Sequence, residues 1–390
     1  MAGYIFSLDS EESLDFCIKN GVYSTHLSKP TASGLWRKHH EATFADYVTM
    51  KEGDNIYFFI KRKIYGIGTL VNICNDCKFN NYPEATIPVM PVYENVRDKL
   101  LLNIDEQSID NRWLCVFVPN PHFFRKGIDM DDVLASKPES FKMLRAFWKL
   151  SFIKIDDEEN KALKDIILKR NEEFINIEGD DYNIFQFEIE LHDTIAAKLD
   201  LNNYDISSNH ILASCADGDY LKHEMALEAG MLYEMANNTE NVLNIFGHWD
   251  YISHQVVASP FKAIDYMDKM DIFGYKYITG FDTISKYMVI ELKRNAACLE
   301  DIDQVIKYVE WLNYEYANGD YSMIEAFLVA YNFSDEIIRY KNQVCIRNYT
   351  IGRRPTILGT WTNLRLIKYR FDETTNNLVF EEIIDEIEED

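Results

Sequence analysis

The chain has 390 residues, of which 47% are hydrophobic and 14% aromatic, which is ample core for two or three packed domains and excludes a disordered chain. Its formal net charge of -24 excludes a protein held on nucleic acid by long-range attraction alone, so any contact with DNA must use local basic patches. Seven cysteines favour reduced thiols over a disulfide framework, and no segment approaches the roughly 20 apolar residues of a membrane span. We therefore predict a cytoplasmic protein.

Strand patterns predominate in the first part of the chain, which we place at residues 1–178. Strands are predicted at residues 4–8, 54–72 and 113–118. The run 54–72 is predicted to fold as a hairpin whose turn contains Lys61, Arg62 and Lys63. Residues 151–170 change from a strand-like SFIKI through an acidic DDEE to a helical pattern, and acids suit the first turn of a helix.

Three segments of this part, GYIFSLDSEESLDFCIKNGVYS, MKEGDNIYFFIKRKIYGIGTLVN and SFIKIDDEENKALKDII, together resemble the EVE and other PUA-like domains. The resemblance implies a small β-barrel that reads RNA or modified bases, and base stacking on aromatic rings contributes about 1–3 kcal/mol per base. The alternative is that the aromatic side chains belong to the core, and that the basic turn is a solvated loop rather than a phosphate contact. The candidate aromatic residues are Trp36, Trp113, Phe123, Phe124 and Trp148.

Acidic clusters between residues 171 and 183 mark a domain boundary, and a polar loop is predicted at residues 202–218. A helix predicted over residues 219–235 then places Glu228 on its apolar stripe, with Glu224 one turn earlier. Because an acid within an apolar face is uncommon, we expect one of the two to reach a shared polar site. The alternative is a glutamate exposed at the edge of the stripe.

A buried strand is predicted at residues 287–293, where a short apolar run ends in Glu291 and Lys293. Alternate side chains of a strand share a face, so this carboxylate and this ammonium point the same way. If residues 268–275 fold back on the strand, Asp271 falls opposite Glu291. A tighter hairpin would instead bring Asp282 there, and we favour Asp271.

A divalent cation fits this end of the predicted strand. Asp271, Glu291 and the main-chain carbonyl of Leu292 offer the oxygen ligands that Mg²⁺ or Mn²⁺ binds. Lys293, beside that metal, could orient or activate an attacking water. A helix predicted over residues 302–316 and a strand over 323–331 complete the order helix, three strands, helix, strand.

This order, with Glu291-Leu292-Lys293 followed by Gln304-Val305-Ile306-Lys307-Tyr308, resembles the PD-(D/E)xK nuclease superfamily over residues 184–350. The QxxxY pattern is typical of its RecB-like members. Behind an unrelated N-terminal domain, VIELKR followed by QVIKYVEWL is most similar to Shedu-type antiphage nucleases, and NucS-like enzymes come next.

The resemblance implies an α+β or α/β chain with a restriction-endonuclease-like αβββαβ core behind the PUA-like β-barrel domain. It implies Mg²⁺-dependent hydrolysis of DNA in antiphage defence, with Asp271, Glu291 and Lys293 as the catalytic set. Gln304 would position that set, Glu228 or Glu224 would complete it, and Arg294 and Tyr308 would face the DNA. The acidic balance also suggests that the cut is gated, either by assembly into a homo-oligomer, a dimer or tetramer, or by recognition of a particular DNA end or base.

Residues 351–390 are predicted to form a β-rich extension and an acidic tail. The C-terminal strands are predicted at residues 343–349, 365–371 and 378–383. Positive charge concentrates at Arg353, Arg354, Arg365, Lys368 and Arg370. It forms either a DNA-facing surface or a subunit contact satisfied by the tail. Two other functions stay open, a catalytically inactive nucleic-acid reader on a nuclease-like scaffold and a NucS-like repair nuclease.

Overall fold

The structure, a computed structural model, describes residues 1–103, 111–142, 152–175, 186–258, 268–352 and 354–384. It is an α+β protein whose chain divides into two compact units, Met1–Ser207 and Ser208–Asp390. The boundary predicted between residues 178 and 184 falls outside the described residues, so the predicted domain limits stay predictions. None of the described helices is both long and apolar enough to cross a membrane.

The first unit is built on a mostly antiparallel sheet. Its described strands are β1 (Gly3–Ser7), β2 (Val22–Leu27), β3 (Asn55–Ile60), β4 (Lys63–Leu70), β5 (Lys78–Asn80), β6 (Asn111–Pro119), β7 (Ile128–Asp129) and β8 (Phe152–Ile155). Its described helices are α1 (Glu11–Asn20), α2 (Lys38–Tyr47), α3 (Tyr93–Val96), α4 (Met130–Ser136), α5 (Asp157–Arg170), α6 (Glu172–Ile175) and α7 (Glu190–Leu199).

The strand order in this sheet is β2-β6-β4-β3-β1-β8, with β5 beside β6 and β7 beside β4. The pair β1 and β3 is parallel, and it is flanked by antiparallel pairs. The predicted PUA-like barrel stays a prediction.

Two local features of the first unit were predicted correctly. The β3–β4 hairpin turns at Lys61 and Arg62, whose φ angles of 45° and 73° give the turn a twist that matches the strands. Helix α5 begins at a capping box, in which Asp156 accepts a hydrogen bond from the Glu159 N–H and the Glu159 carboxylate accepts one from the Asp156 N–H. The acidic DDEE therefore starts the helix.

Three of the five aromatic residues predicted to stack on bases belong to the core instead. Trp36, Trp113 and Phe124 are buried, which confirms the alternative that these rings are core side chains. Trp113 stacks on Tyr47 at 5.8 Å between ring centroids, and the Trp36 Nε1–H donates to the Thr86 carbonyl. Large aromatic rings stabilise a domain most when they are buried, and these three rings pack in the core rather than on a surface that could bind a base. Phe123 is half-buried, and Trp148 lies outside the described residues.

The second unit is built on a mixed sheet. Its described strands are β9 (Ala216–Asp217), β10 (Tyr220–Leu221), β11 (Tyr251–Val257), β12 (Lys269–Tyr277), β13 (Ile284–Ala296), β14 (Ile324–Asn332), β15 (Arg347–Ile351), β16 (Ile357–Trp361), β17 (Leu364–Asp372) and β18 (Asn377–Glu382). Its described helices are α8 (Asn209–Cys215), α9 (Glu224–Ala236), α10 (Glu240–Phe246), α11 (Leu299–Glu315) and α12 (Asp335–Val344).

The six-stranded order is β11-β12-β13-β14-β17-β18. Strands β11, β12 and β13 form an antiparallel meander, whereas β13, β14 and β17 run parallel, and α11 crosses over between β13 and β14. The central strands are apolar on both faces, as expected for strands covered by helices on two sides. The polar ends of β12 and β13 are where the acids of the predicted site lie.

Three predicted boundaries in this unit are wrong. The loop predicted at residues 202–218 contains helix α8. The helix predicted to begin at Asp219 begins at Glu224, because Tyr220 and Leu221 pair with residues 216–217 as a short hairpin. Residues 343 and 344 end helix α12, so the strand predicted from residue 343 begins at Arg347.

Strands β15 and β16 form a separate two-stranded ribbon between α12 and β17. Its base packs on the unit, because the rings of Tyr349 and Trp361 both lie against Tyr321. Its tip is exposed and apolar, because Ile357 and Leu358 have 59% and 81% of the accessible surface of fully exposed residues.

Candidate metal centre

The β12–β13 hairpin sets the position of two predicted acids. Ile272 pairs with Ile290 and Phe273 with Val289, so Asp271 falls opposite Glu291. The predicted register is therefore confirmed. The alternative register with Asp282 opposite Glu291 is wrong, because Asp282 lies exposed in the turn beyond the last pair of the hairpin. A shift to that register would take apolar side chains of β13 away from their partners in β12.

Helix α9 brings a third acid to the same end of the sheet. Glu228 is 2% exposed, and its Oε1 lies 3.0 Å from Nδ1 of His254 in β11. Glu224, one turn earlier, is half-buried, and its Oε2 accepts a hydrogen bond from the Arg294 N–H at 3.1 Å. Of the two glutamates left open by the helical pattern, Glu228 is the buried one.

The carboxylates of Asp271 and Glu291 have different partners. Asp271 Oδ2 accepts a hydrogen bond from the backbone N–H of Leu292 at 2.8 Å, and Oδ1 accepts one from the Gln255 amide at 3.1 Å. Glu291 is 1% exposed, and its Oε1 accepts a hydrogen bond from Lys293 Nζ at 2.5 Å. Its Oε2 is buried and accepts no hydrogen bond from the described residues.

The charges of this cluster disfavour its fully ionised state. Burial and the carboxylates of Glu291 and Glu228 raise the pKa of Asp271 well above its ordinary value. Burial raises the pKa of Glu291 to about 7, although the Lys293 ammonium opposes that rise. Burial alone would lower the pKa of Lys293, but the Glu291 and Asp271 carboxylates raise it above its ordinary value. The negative charge of the ionised acids is therefore only partly compensated by Lys293, and a bound cation would compensate the rest.

The donor types of this set are those that a hard divalent cation takes. The carboxylates of Asp271 and Glu291 supply the oxygen ligands that Mg²⁺ and Mn²⁺ prefer, and the buried Oε2 of Glu291 has no hydrogen-bond partner among the described residues. The main chain of Leu292 reaches the centre through its N–H, and its carbonyl as a ligand stays a prediction.

Helix α11 holds the predicted Gln304 and Tyr308 behind the hairpin. Gln304 Nε2 donates to the Tyr308 hydroxyl at 2.7 Å, and that hydroxyl donates to the Lys269 carbonyl at 2.8 Å. Lys269 begins β12 two residues before Asp271, so this pair ties the helix to the strand that carries the acid. Because Tyr308 is buried and uses its hydroxyl in this way, the predicted contact of Tyr308 with DNA is not supported.

Three residues of the centre were not predicted as part of it. Asp301 accepts a hydrogen bond from the Cys298 N–H at the start of α11 and lies 3.7 Å from Lys293 Nζ, so it links that helix to the lysine. His254 and Gln255 contact Glu228. The available signals were the acidic first turn of α11 and the polar pair His254-Gln255 within an apolar strand.

Apart from Tyr308, the predicted nucleic-acid contacts are exposed, and one of them has acidic partners. Arg294 follows Lys293 at the end of β13, where its guanidinium donates to the Lys222 carbonyl. Lys61, Arg62 and Lys63 lie in the other unit, at the β3–β4 turn. Arg62 there forms an ion pair with Asp131 at 2.6 Å, which reduces its charge toward any phosphate.

The C-terminal positive charge is largely used within the second unit. Arg365 makes two hydrogen bonds to Glu382, with N···O distances of 2.7 and 2.5 Å. Arg370 lies 3.2 Å from Asp219 and covers the ring of Tyr331. These arginines are therefore a poor DNA-facing surface. Arg354 is exposed, whereas Arg353 lies outside the described residues.

No protein-family model and no curated protein matches the chain. Among solved structures, the chain is similar to a crystal structure of a repair endonuclease from Pyrococcus abyssi, with 21% sequence identity and a TM-score of 0.19. The match covers 28% of this chain and 42% of that chain, which is less than half the length of the endonuclease. A TM-score of this size carries no argument about a shared fold or activity.

Proposed function

We propose that the chain is a metal-dependent DNA endonuclease of the PD-(D/E)xK type. The observation that carries the proposal is the convergence of Glu228, Asp271, Glu291 and Lys293 at one end of a mixed sheet, with a buried Glu291 oxygen that accepts no hydrogen bond from the described residues. The Gln304–Tyr308 pair behind the hairpin adds to the motif resemblance. An αβββαβ nuclease core is part of this proposal.

Each residue has a distinct role in the proposed reaction. A bound Mg²⁺ would supply Lewis acidity toward the phosphodiester and lower the pKa of a coordinated water. Asp271 and Glu291 would hold the ion. Lys293 stays protonated at neutral pH, so it would orient the attacking water and neutralise charge on the phosphate rather than accept a proton. Glu228 would complete the acidic environment from α9.

We place this activity in antiphage defence, with the first unit as the part that recognises a DNA feature and with a homo-oligomer as the working form. Support for these finer assignments comes from the resemblance of VIELKR and QVIKYVEWL to Shedu-type nucleases. The exposed, apolar tip of the β15–β16 ribbon is compatible with a subunit contact.

Cleavage of DNA by isosteric variants tests the assignment. We expect the purified protein to cut DNA with Mg²⁺ or Mn²⁺, and Glu291→Gln and Lys293→Met each to lower the rate by about 10²-fold or more, because each removes a charged group from the centre. Lys276 and Glu325 form another ion pair on the same sheet, 3.3 Å apart, in which both side chains are half-buried. Lys276→Met and Glu325→Gln are therefore matched controls that should keep the wild-type rate.

The same assay distinguishes Asp271 from Asp282 as the catalytic aspartate. Asp271→Asn should abolish cutting, whereas Asp282→Asn should leave it unchanged, because Asp282 is exposed in the turn. Cutting that persists in both the Glu291 and Lys293 variants would overturn the assignment. Binding of DNA or RNA by the wild type without turnover in either metal would instead identify a nucleic-acid reader on an inactive scaffold.

A further inference from the structure

Gln255 has a backbone conformation that side-chain-bearing residues rarely adopt. Its φ is 53°, in the left-handed region, although it lies within strand β11. Its neighbours His254 and Val256 keep normal ladder pairs, with Ile272 and Met270 of β12. The strain is therefore confined to one residue, and local strain of this kind is kept where the surrounding contacts require it.

The contacts of the Gln255 side chain account for that conformation. Its Nε2 lies 3.2 Å from Glu228 Oε2 and 3.1 Å from Asp271 Oδ1. One amide nitrogen carries two hydrogens, so it can donate to both carboxylates at once. The reverse orientation of the amide would aim its carbonyl oxygen at two carboxylates, so the donor must face them.

The amide completes the fixation of two acids from different elements. Glu228 of α9 is held through one oxygen by His254 and through the other by Gln255. Asp271 of β12 is held through one oxygen by the Leu292 N–H and through the other by Gln255. Gln255 is thus the shared partner of a helix acid and a strand acid whose charges repel one another.

We propose that Gln255 is a positioning residue of the metal centre, whose amide fixes Glu228 and Asp271 relative to one another before a cation binds. This inference rests on the proposed function. The strained backbone of Gln255 allows its amide to donate hydrogen bonds to both acids. The amide is neutral, so it aligns the carboxylate oxygens without adding charge to the centre. Groups that orient metal ligands in this way commonly change metal affinity about 10–100-fold when they are removed.

Gln255→Gly separates positioning from simple structural support. Glycine adopts positive φ without strain, so strain relief offsets part of the stability lost with the amide's hydrogen bonds, and the variant should stay folded. We expect its affinity for Mn²⁺, measured by isothermal titration calorimetry in the absence of DNA, to fall about tenfold. We expect the rise in melting temperature on adding Mn²⁺ to shrink in parallel.

Asn376→Gly is the matched control. Asn376 also has a positive φ, 54°, but it lies in the turn between β17 and β18 and makes none of the contacts to these acids. Its replacement should relieve the same kind of strain and leave Mn²⁺ affinity at the wild-type value. Gln255→Asn tests side-chain length, because an amide one methylene shorter should not restore the affinity.

The binding readout distinguishes this inference from the proposed function. A wild type that binds Mn²⁺ but cuts no nucleic acid would reject the nuclease proposal, while loss of Mn²⁺ affinity in Gln255→Gly would still support the positioning role. Wild-type Mn²⁺ affinity in Gln255→Gly would overturn that role. So would a wild-type protein that binds no Mn²⁺, because there would then be no metal centre to position.

Discussion

At the scale of single residues, two lysines of this chain have pKa values that are shifted in opposite directions. Lys154, on β8, is 6% exposed, and burial lowers its pKa to about 7 even though the Asp54 carboxylate opposes the shift. Lys293 is more exposed and has the carboxylates of Glu291 and Asp271 beside it, so its pKa is raised. Lys293 therefore keeps its proton at neutral pH, whereas Lys154 loses its proton near neutral pH.

The lowered pKa of Lys154 predicts how stability depends on pH. Between pH about 7 and 10.5 the unfolded chain holds the lysine proton and the folded chain does not, so this residue makes the free energy of unfolding rise with pH in that window. Lys154→Met should remove that component. The difference in unfolding free energy between wild type and variant should become more favourable to the wild type from pH 7 to pH 9.

Guanidinium unfolding at pH 7, 8 and 9 measures this difference. Lys137→Met, at an exposed position of the same unit, is the control. A difference between wild type and Lys154→Met that stays constant over the three pH values would contradict the prediction.

At the scale of elements, the sequence predicts the hairpin that carries the acids because its apolar residues fix the register. Alignment of the apolar residues of the two strands, Ile272 with Ile290 and Phe273 with Val289, is enough to place Asp271 opposite Glu291. The role of Gln255 is not predictable in the same way, because its φ depends on acids from α9 and β12 that only the folded sheet brings together. Helix α8 was not predicted because the residues on either side of it are polar and typical of loops. A helix this short depends on tertiary packing for its stability, which the sequence pattern does not show.

Strand β12 makes a prediction of its own at Gly274. A Cβ there would lie 2.8 Å from the Tyr251 carbonyl oxygen of β11, a backbone atom that cannot move without shifting the strand. Gly274→Ala should therefore lower the free energy of unfolding by about 1–3 kcal/mol. Chemical unfolding followed by circular dichroism tests this, with Thr283→Ala at the exposed end of the same hairpin as control. Equal stability of the two variants would show that β11 and β12 are less closely paired.

At the scale of the whole molecule, the charge of -24 governs how DNA is approached. The arginines of β17 are paired with acids within their own unit, and Arg62 of the first unit has Asp131 beside it. A surface of this kind binds random duplex weakly, since nonspecific affinity depends on cations that face phosphates. The proposed nuclease therefore needs a specific feature of its substrate, or several assembled subunits, to gain access to DNA.

Substrate form should consequently control the rate. We expect intact, unmodified plasmid to be cut more slowly than DNA with a free end or a modified base, because only a recognised feature offsets the charge repulsion. Initial rates on circular, linear and modified DNA at one salt concentration measure this, with mass determined by light scattering in the same buffer. A monomer that cuts intact plasmid as fast as every other substrate would show that no such control exists.

Helix α9, which carries Glu228, is hydrogen-bonded to strand β18, which is synthesised much later in translation. Its Glu234 accepts a hydrogen bond from the N–H of Leu378 in β18 at 3.1 Å, across 144 residues of sequence. Contacts over such separations form late in folding, whereas the β12–β13 hairpin closes locally. A growing chain is thus expected to hold Asp271 and Glu291 together while the helix with the third acid still lacks its anchor. The timing of synthesis would then keep the proposed cutting activity off until β18 has docked.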